Sequence, residues 1–365
     1  MSIILVIQIA LGISTANRFG ITYDEYNHLP VGLLNLRTGE FDFDSLSPPL
    51  CRMAAALPLL GTSVRTDFSG LPRETTDWSE SFVAANRERY VQYFAIGRSM
   101  IVLLSAAAAL VTAIWARERF GDAAGCLAAL LWACEPTLLA HGSLVTTDMG
   151  AAAFFVFTLY AVWKFAQRPN WKRGLVFGIV LGLAQLAKFT CVLLYPLSVA
   201  LFLIDRMIIA RGEERPGDVP RDRRVAAPAA PKKVQLARLW IAALVVSLVS
   251  MNAGYLFRGS CSSLSSYRFQ SRSLQAVARA LPAGLPVPLP RDYVEGVDRQ
   301  KHVMEGTHTV YLDGDWSLTG FPYYYLWSIF YKLPHPFQLL FVATAIWIAR
   351  SAGVARRPWT QLSIP

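Results

Sequence analysis

Apolar residues in this chain gather into long runs separated by short polar or basic stretches. The runs cover residues 2–16, 99–116, 123–140, 144–163, 174–187, 189–209, 239–257 and about 333–349. Each approaches the ~20 residues a helix needs to cross a ~30 Å hydrocarbon layer. Helices are the predicted form, because lipid offers no partner to an unpaired backbone group. The first run has no basic residues before it and reads as a span rather than a signal peptide. The stretch 174–209 is interrupted only by Lys188 until Asp205, too long for one span. It predicts two short helices with a turn at "LAKFT".

The polar stretches set the orientation. The loop "KFAQRPNWKR" (164–173) carries four positive residues and no acid, and residues 206–238 carry nine positives and four acids. Short basic loops stay in the cytoplasm. Counting spans back from them puts residues 17–97 and 258–322 on the outer side, with the turns at 141–143 and 188. The second outer loop runs on to 332, and the "RSAGVARR" tail returns inside. The expected architecture is an all-α integral membrane protein, a single domain over 1–365 with about eight transmembrane helices.

The first outer loop has a pattern of its own. In "DEYNHLPVGLLNL", Leu29, Leu33, Leu34 and Leu36 recur at near-helical spacing, which predicts an amphipathic helix in the interface. "SPPLCRMAAALPLL" (47–60) opens with two prolines, where a helix starts readily. Its apolar face runs through Met53, Leu57 and Leu60.

Composition agrees with the runs. Of 365 residues 54% are hydrophobic and 16% charged, against about 45–50% and about 25% in soluble chains. The net charge of +10 suggests no nucleic acid partner, because the positives sit between apolar runs. No CxxC, HExxH, Walker or GxGxxG cluster occurs, so zinc-hydrolase and nucleotide-binding readings lack their signatures. Cys126, Cys134 and Cys191 fall in runs and read as packing groups, whereas Cys51 and Cys261 fall in outer loops where an oxidising compartment would let them pair.

Ionisable residues then collect at one side. Asp24, Glu25 and His28 follow the first run. Arg98 opens the second span, His141 ends the third, Asp148 begins the fourth, Lys188 stands at the turn, and Lys332 precedes the last run. Each has a plain alternative: a helix cap at Thr147 and Asp148, or snorkelling for the cations. Together, with both signs of charge, they predict one polar cavity at the outer leaflet.

The same residues carry a resemblance. "DEYNH" (24–28), "PPL" (48–50) and "LPLL" (57–60) stand in the order seen in membrane glycosyltransferases of the protein O-mannosyltransferase and aminoarabinose transferase group. "LLAHGSLVTTD" ending at Asp148, "LGLAQLAKFT" around Lys188 and "YYYLWSIFYKLP" ending past Lys332 resemble later segments of that group. Ser47 departs from the pattern, which has a histidine before the two prolines. The chain also stops at Pro365, where many members continue, which implies a short member or a fragment.

The resemblance implies the GT-C fold, with a sugar moving from a polyprenyl-phosphate donor to a hydroxyl of a protein, lipid or glycan acceptor. The site would face away from the cytoplasm, in a plasma or inner membrane. Asp24 would be the general base, with Glu25 and Asp148 beside it. Lys188, Lys332, Arg98 and His141 would hold the donor phosphate, and His28, Pro48 and Pro49 would support the site. A divalent metal would take Asp24, His141 and Asp148 as ligands in those members that use one. A transporter or lipid flippase, and a non-catalytic assembly partner of the same fold, are the rival readings. The absence of internal repeats argues against the first, and the intact acids argue against the second.

Overall fold

A computed structural model describes residues 1–66, 77–210 and 233–354. The basic loop expected over 206–238 and the end of the C-terminal tail lie mostly outside these residues, as does 67–76 of the first loop.

The chain is helical almost throughout. In order, the helices are α1 (Ser2–Arg18), α2 (Tyr23–Thr38), α3 (Leu50–Ala56), α4 (Asp77–Ala85), α5 (Tyr90–Phe120), α6 (Asp122–Cys134), α7 (Pro136–His141), α8 (Thr147–Gln167), α9 (Trp171–Ala187), α10 (Leu194–Ala210), α11 (Lys233–Gly254), α12 (Arg272–Ala280), α13 (Arg291–Glu305), α14 (Tyr324–Lys332) and α15 (His335–Val354). Among the described residues the strands are two short antiparallel pairs, Ser262–Ser263 with Pro286–Val287 and Val310–Leu312 with Asp315–Ser317. Among the described residues, four helical stretches are long and apolar enough to cross a membrane: Tyr90–Phe120, Thr147–Gln167, Phe189–Met207 and Val234–Gly254. Helices α1 and α2 together would make a fifth, but they meet at a bend of 101°. The chain is thus an all-α protein with four to five candidate spans among the described residues by this measure; the count of eight expected is not confirmed.

The expected third span is the clearest departure. Residues 123–140 form not one helix but two, α6 and α7, parted at Glu135 and Pro136. A proline inside a helix has no N–H to donate and clashes with the preceding turn. As the first residue of α7 it is tolerated, and the Glu135 carboxylate caps that helix by accepting from the Leu138 N–H at 2.5 Å. The turn expected at "LAKFT" is present: α9 ends at Ala187, and a 3₁₀ turn over Phe189–Leu193 leads into α10.

Close packing of α9 on α11 follows from glycine spacing. A Cβ at Gly178 would lie 2.4 Å from the Ala243 carbonyl oxygen, and one at Gly182 2.4 Å from that of Ser247. Glycines four apart give one helix face with no side chains, so the two backbones touch, as small-residue faces allow between membrane helices. Beside this contact Phe165, Phe177, Phe202 and Trp240 pack ring to ring at 5.0–6.0 Å between centroids.

The first loop corrects the interfacial picture of α2. The helix forms over the expected residues and ends on Gly39 in the left-handed conformation (φ 67°). Leu29, Leu33 and Leu34 are buried, but so are Glu25, His28, Pro30, Val31, Gly32 and Asn35. A helix buried on so many sides is packed inside protein rather than afloat on lipid, because α3, α4 and α5 enclose it. The apolar face expected on the next segment keeps Leu57 and Leu60 exposed. Cys51 is buried, with its thiol 3.8 Å from the Ala187 carbonyl oxygen, whereas Cys261 is exposed; both are free thiols, so the pairing considered for them is absent. Of the three cysteines expected to pack in spans, Cys191 is buried and Cys126 and Cys134 are exposed.

Candidate active site

Adjacent residues on a helix point about 100° apart, and Asp24 and Glu25 use that difference. Glu25 is wholly buried. Its Oε1 accepts from Arg98 Nε at 2.7 Å and from the Val145 N–H at 2.9 Å. Its Oε2 accepts from Arg98 Nη2 at 2.8 Å and from the N–H and hydroxyl of Thr22 at 3.0 Å each. Burial pushes the Glu25 carboxyl up, but the Arg98 fork and the Val145 and Thr22 N–H groups together hold it below its ordinary value. Arg98 also donates to the carbonyls of Ala16, Phe19 and Gly20 at 2.7–2.9 Å. One buried pair thus ties the end of α1, the start of α2, the middle of α5 and the approach to α8.

Arg98 was expected to hold donor phosphate. Its guanidinium is 2% exposed and already satisfied by one carboxylate and three carbonyls, so it does not face the cavity and serves as a brace. Glu25 likewise has no open lone pair for chemistry.

Asp24, one residue earlier, is exposed to a cavity of about 600 Å³. Among the described residues its carboxylate has no ion-pair or hydrogen-bond partner. His28 lines the same wall one turn on, and Ser47 and Pro48 line it from the following loop. Asp148 and Thr147 enter from the start of α8, and Lys188 from the turn after α9. Lys188 Nζ donates to Asp148 Oδ1 at 2.5 Å, and His141 Nδ1 lies 3.7 Å from Asp148 Oδ2. Pro49 is buried as the residue before α3 and does not reach the cavity.

The cavity thus gathers Asp24, His28, Ser47, Pro48, Asp148 and Lys188 from segments up to 164 residues apart. His141 touches it through Asp148 without lining it. Lys332 is exposed at the end of α14 and is not on the cavity wall. Asp24, His141 and Asp148 do not form a metal-ligating group; among the described residues no cluster of three or more His, Cys, Asp or Glu does.

Several lining residues escaped the sequence reading. Asp44 faces the cavity from a left-handed backbone (φ 44°). Its carboxylate lies 3.5 Å from Arg52 Nη1 and 3.7 Å from His28 Nδ1, and Arg52 Nη1 also donates to its backbone carbonyl at 3.0 Å. Burial holds the His28 imidazole below its ordinary pKa; Asp44 opposes this, Arg52 adds to it, and Asp24 and Asp148 oppose it. The imidazole is therefore neutral at neutral pH. Trp78, Phe189 and Thr190 line further walls, and Arg299, Gln300 and Met304 come from α13 of the second loop. A signal for Asp44 existed in "FDFDSLSPP", where it stands just before the proline motif. Nothing local marks α13, whose contribution depends on the loop folding back.

Residues 94–212 match the profile of the dolichyl-phosphate-mannose-protein mannosyltransferase family. The matched stretch runs from α5 to the end of α10 and includes Arg98, His141, Asp148 and Lys188; Asp24, His28 and α13 lie outside it. No curated protein matches the chain. The match bears out the resemblance to the protein mannosyltransferases, and with the apolar helices it implies an integral membrane glycosyltransferase of the mannosyltransferase type.

Proposed function

We propose that this protein, which resembles the protein mannosyltransferases over residues 94–212, moves a sugar from a polyprenyl-phosphate carrier to a hydroxyl acceptor, with Asp24 as general base. One observation carries the reading. An unpartnered carboxylate and a lysine–aspartate pair share one cavity, at the joined ends of membrane-type helices. A hydroxyl is a poor nucleophile and needs a base; a phosphate is a fair leaving group and needs positive charge.

The acceptor oxygen attacks the anomeric carbon while Asp24 takes the hydroxyl proton. The bond from that carbon to the phosphate oxygen breaks, and the phosphate leaves with the electron pair, beside Lys188. Attack from the face opposite the phosphate inverts the anomeric centre. Asp148 holds the Lys188 ammonium by its 2.5 Å hydrogen bond, so the charge keeps its place as the phosphate departs. Glu25 and Arg98 act only through the backbone they fix. The family named by the match uses a dolichyl-phosphate donor and protein acceptors, which favours a mannosyl donor and a Ser or Thr hydroxyl.

The cavity is assigned to the non-cytoplasmic face on the asymmetry of lysine and arginine in the loops. Purified enzyme in lipid, given polyprenyl-phosphate mannose and a Ser/Thr-rich peptide, should release polyprenyl phosphate and glycosylate the peptide. No transfer to peptide, lipid or glycan hydroxyls overturns the assignment. A membrane-impermeant maleimide should label the exposed Cys261 on intact cells and lose that label in Cys261→Ser. Labelling only after lysis reverses the sidedness.

A further inference from the structure

The end of the helices opposite the cavity holds a second gathering of charge. Lys164 stands on α8 sixteen positions after Asp148, about 24 Å along the axis at 1.5 Å per residue. There the ends of α5 and α8 meet the start of α9. Trp115, Tyr160 and Trp163 form a triangle of rings, 5.8–5.9 Å between centroids. Two cations share the Trp163 ring: Lys164 Nζ is 5.5 Å from its centre and Arg119 Cζ 5.7 Å. Arg119 also lies 5.4 Å from the centre of the Phe120 ring. Arg173, at the start of α9, donates to the Lys164 carbonyl at 2.5 Å, and Arg168 stands close enough to repel its charge.

Glu118 is the carboxylate bonded within this cluster. It accepts from Lys164 Nζ at 3.1 Å and from the Tyr160 hydroxyl at 3.2 Å. Asp122 faces Arg117 at 3.9 Å, with both side chains exposed. Among the described residues, the guanidinium groups of Arg119 and Arg168 have no hydrogen-bond or ion-pair partner. An arginine that merely snorkels stretches away from the protein to keep its head in water. Arg119 instead is half-buried, its guanidinium held against two rings. The indole attracts each cation, but the two positive charges repel one another across it, and Glu118 answers only the lysine. The cluster is therefore short of one anion at the place where Arg119 lies.

We propose that these groups form a site for one anionic phospholipid, its headgroup phosphate held by Arg119 with Lys164 beside it, in the leaflet opposite the cavity. The inference needs the membrane assignment alone and is independent of the sugar-transfer reading. A phosphodiester carries one negative charge on two free oxygens, which the two parallel N–H groups of a guanidinium match. The depth is right for a headgroup, because basic groups at the ends of spans meet anionic lipid there. Phe120 and Trp171 are 67% and 63% exposed at the same end, and such rings settle between acyl chains and headgroups. A zwitterionic lipid brings its own ammonium to a cluster that already has too many cations, so the site selects lipids of net negative charge.

The test titrates the whole protein in detergent micelles with phosphatidylglycerol or with phosphatidylcholine of the same acyl chains. A lipid that binds the folded state raises the unfolding midpoint as its concentration rises. The midpoint of wild type should rise with phosphatidylglycerol and stay level with phosphatidylcholine, and one phosphatidylglycerol should remain bound in native mass spectrometry. Arg119→Gln should need ~10-fold or more phosphatidylglycerol for the same rise, the scale of a lost hydrogen bond to a charged group. Arg119→Lys, which keeps the charge without the fork, should fall between. Each variant is read against its own midpoint in phosphatidylcholine, so a destabilised variant still reports. Arg279→Gln, a change on the exposed side of α12, should respond as wild type does. An Arg119→Gln response equal to that of wild type, or equal responses to the two lipids, overturns the inference. So does the same stabilisation by glycerol phosphate, the headgroup without its chains, which would make the site one for a soluble anion.

Discussion

Two ion pairs, one joining α2 to α5 and one joining the start of α8 to the turn after α9, are built in opposite ways. Glu25–Arg98 is dry: the carboxylate accepts five hydrogen bonds, and the guanidinium gives its remaining N–H groups to carbonyls. Asp148–Lys188 is open, with the side chains 44% and 33% exposed and a cavity in front. A buried pair stripped of one partner leaves an uncompensated charge in a medium that solvates it poorly. An open pair loses little when broken, because water or a ligand replaces the partner. The first is the kind of pair that fixes backbone; the second is the kind that can change partners during a reaction. Asp24, beside the first and facing the second, combines a fixed backbone with a free carboxylate, which is the requirement for a positioned base.

Breaking the chemistry while sparing the brace should have the largest effect. Asp24→Asn keeps shape and hydrogen bonding but cannot take a proton, so kcat should fall ~10²–10⁴-fold with donor KM and thermal unfolding nearly unchanged. Full turnover in Asp24→Asn together with none in Asp148→Asn would move the base to Asp148.

Breaking the brace should do the reverse. Glu25→Gln leaves the Arg98 charge buried without its counter-ion and should cost about 3–5 kcal/mol of stability. Removing both charges, in Glu25→Gln/Arg98→Gln, should cost less than the sum of the two single changes. Additive losses in detergent unfolding would mean that the two side chains act separately.

The open pair should respond weakly in stability and clearly in function. Lys188→Gln should change unfolding by no more than ~1 kcal/mol, in line with exposed pairs, while kcat/KM for the donor falls roughly 10-fold or more. An unchanged kcat/KM at low donor would make Lys188 a group that merely reaches the headgroups.

The smallest effect is a pH dependence that separates the two pairs further. The folded-state pKa of Glu25 lies below its ordinary value. The stability it contributes is therefore present above the unfolded carboxylate pKa of ~4.3. That contribution is lost as the pH falls through the folded value. The stability gap between wild type and Glu25→Gln should be constant from pH 7 to about 5 and narrow below that. A gap unchanged down to pH 3.5 would show that the ionised carboxylate is not what stabilises the joint.

Much of this was legible along the chain. Runs of apolar residues can be paired with nothing but themselves in lipid, so they become helices whatever surrounds them, and the turn at Lys188 follows from a run too long for one crossing. Proline and its preceding residue act locally too, yet the break at Pro136 needed the Glu135 cap to become a clean joint. That Asp24, Asp148 and Lys188 belong to one polar place could be read from charges recurring at helix ends on one side. Which of two adjacent carboxylates is the anchor and which faces the cavity could not be read, because both are acids and only packing against Arg98 and Val145 separates them. The same holds for Arg98, a plausible phosphate ligand by type and a brace by position. Arg299 lies 275 residues from Asp24 in the chain and reaches its cavity only because Gly296 lets α13 lie on Phe189 and Ser45. Local hydrogen bonding and the transfer of side chains from water determined that the apolar runs would be helical; contact between distant segments, which depends on shape at the scale of a single Cβ, decided where those helices break and which side chains share the site.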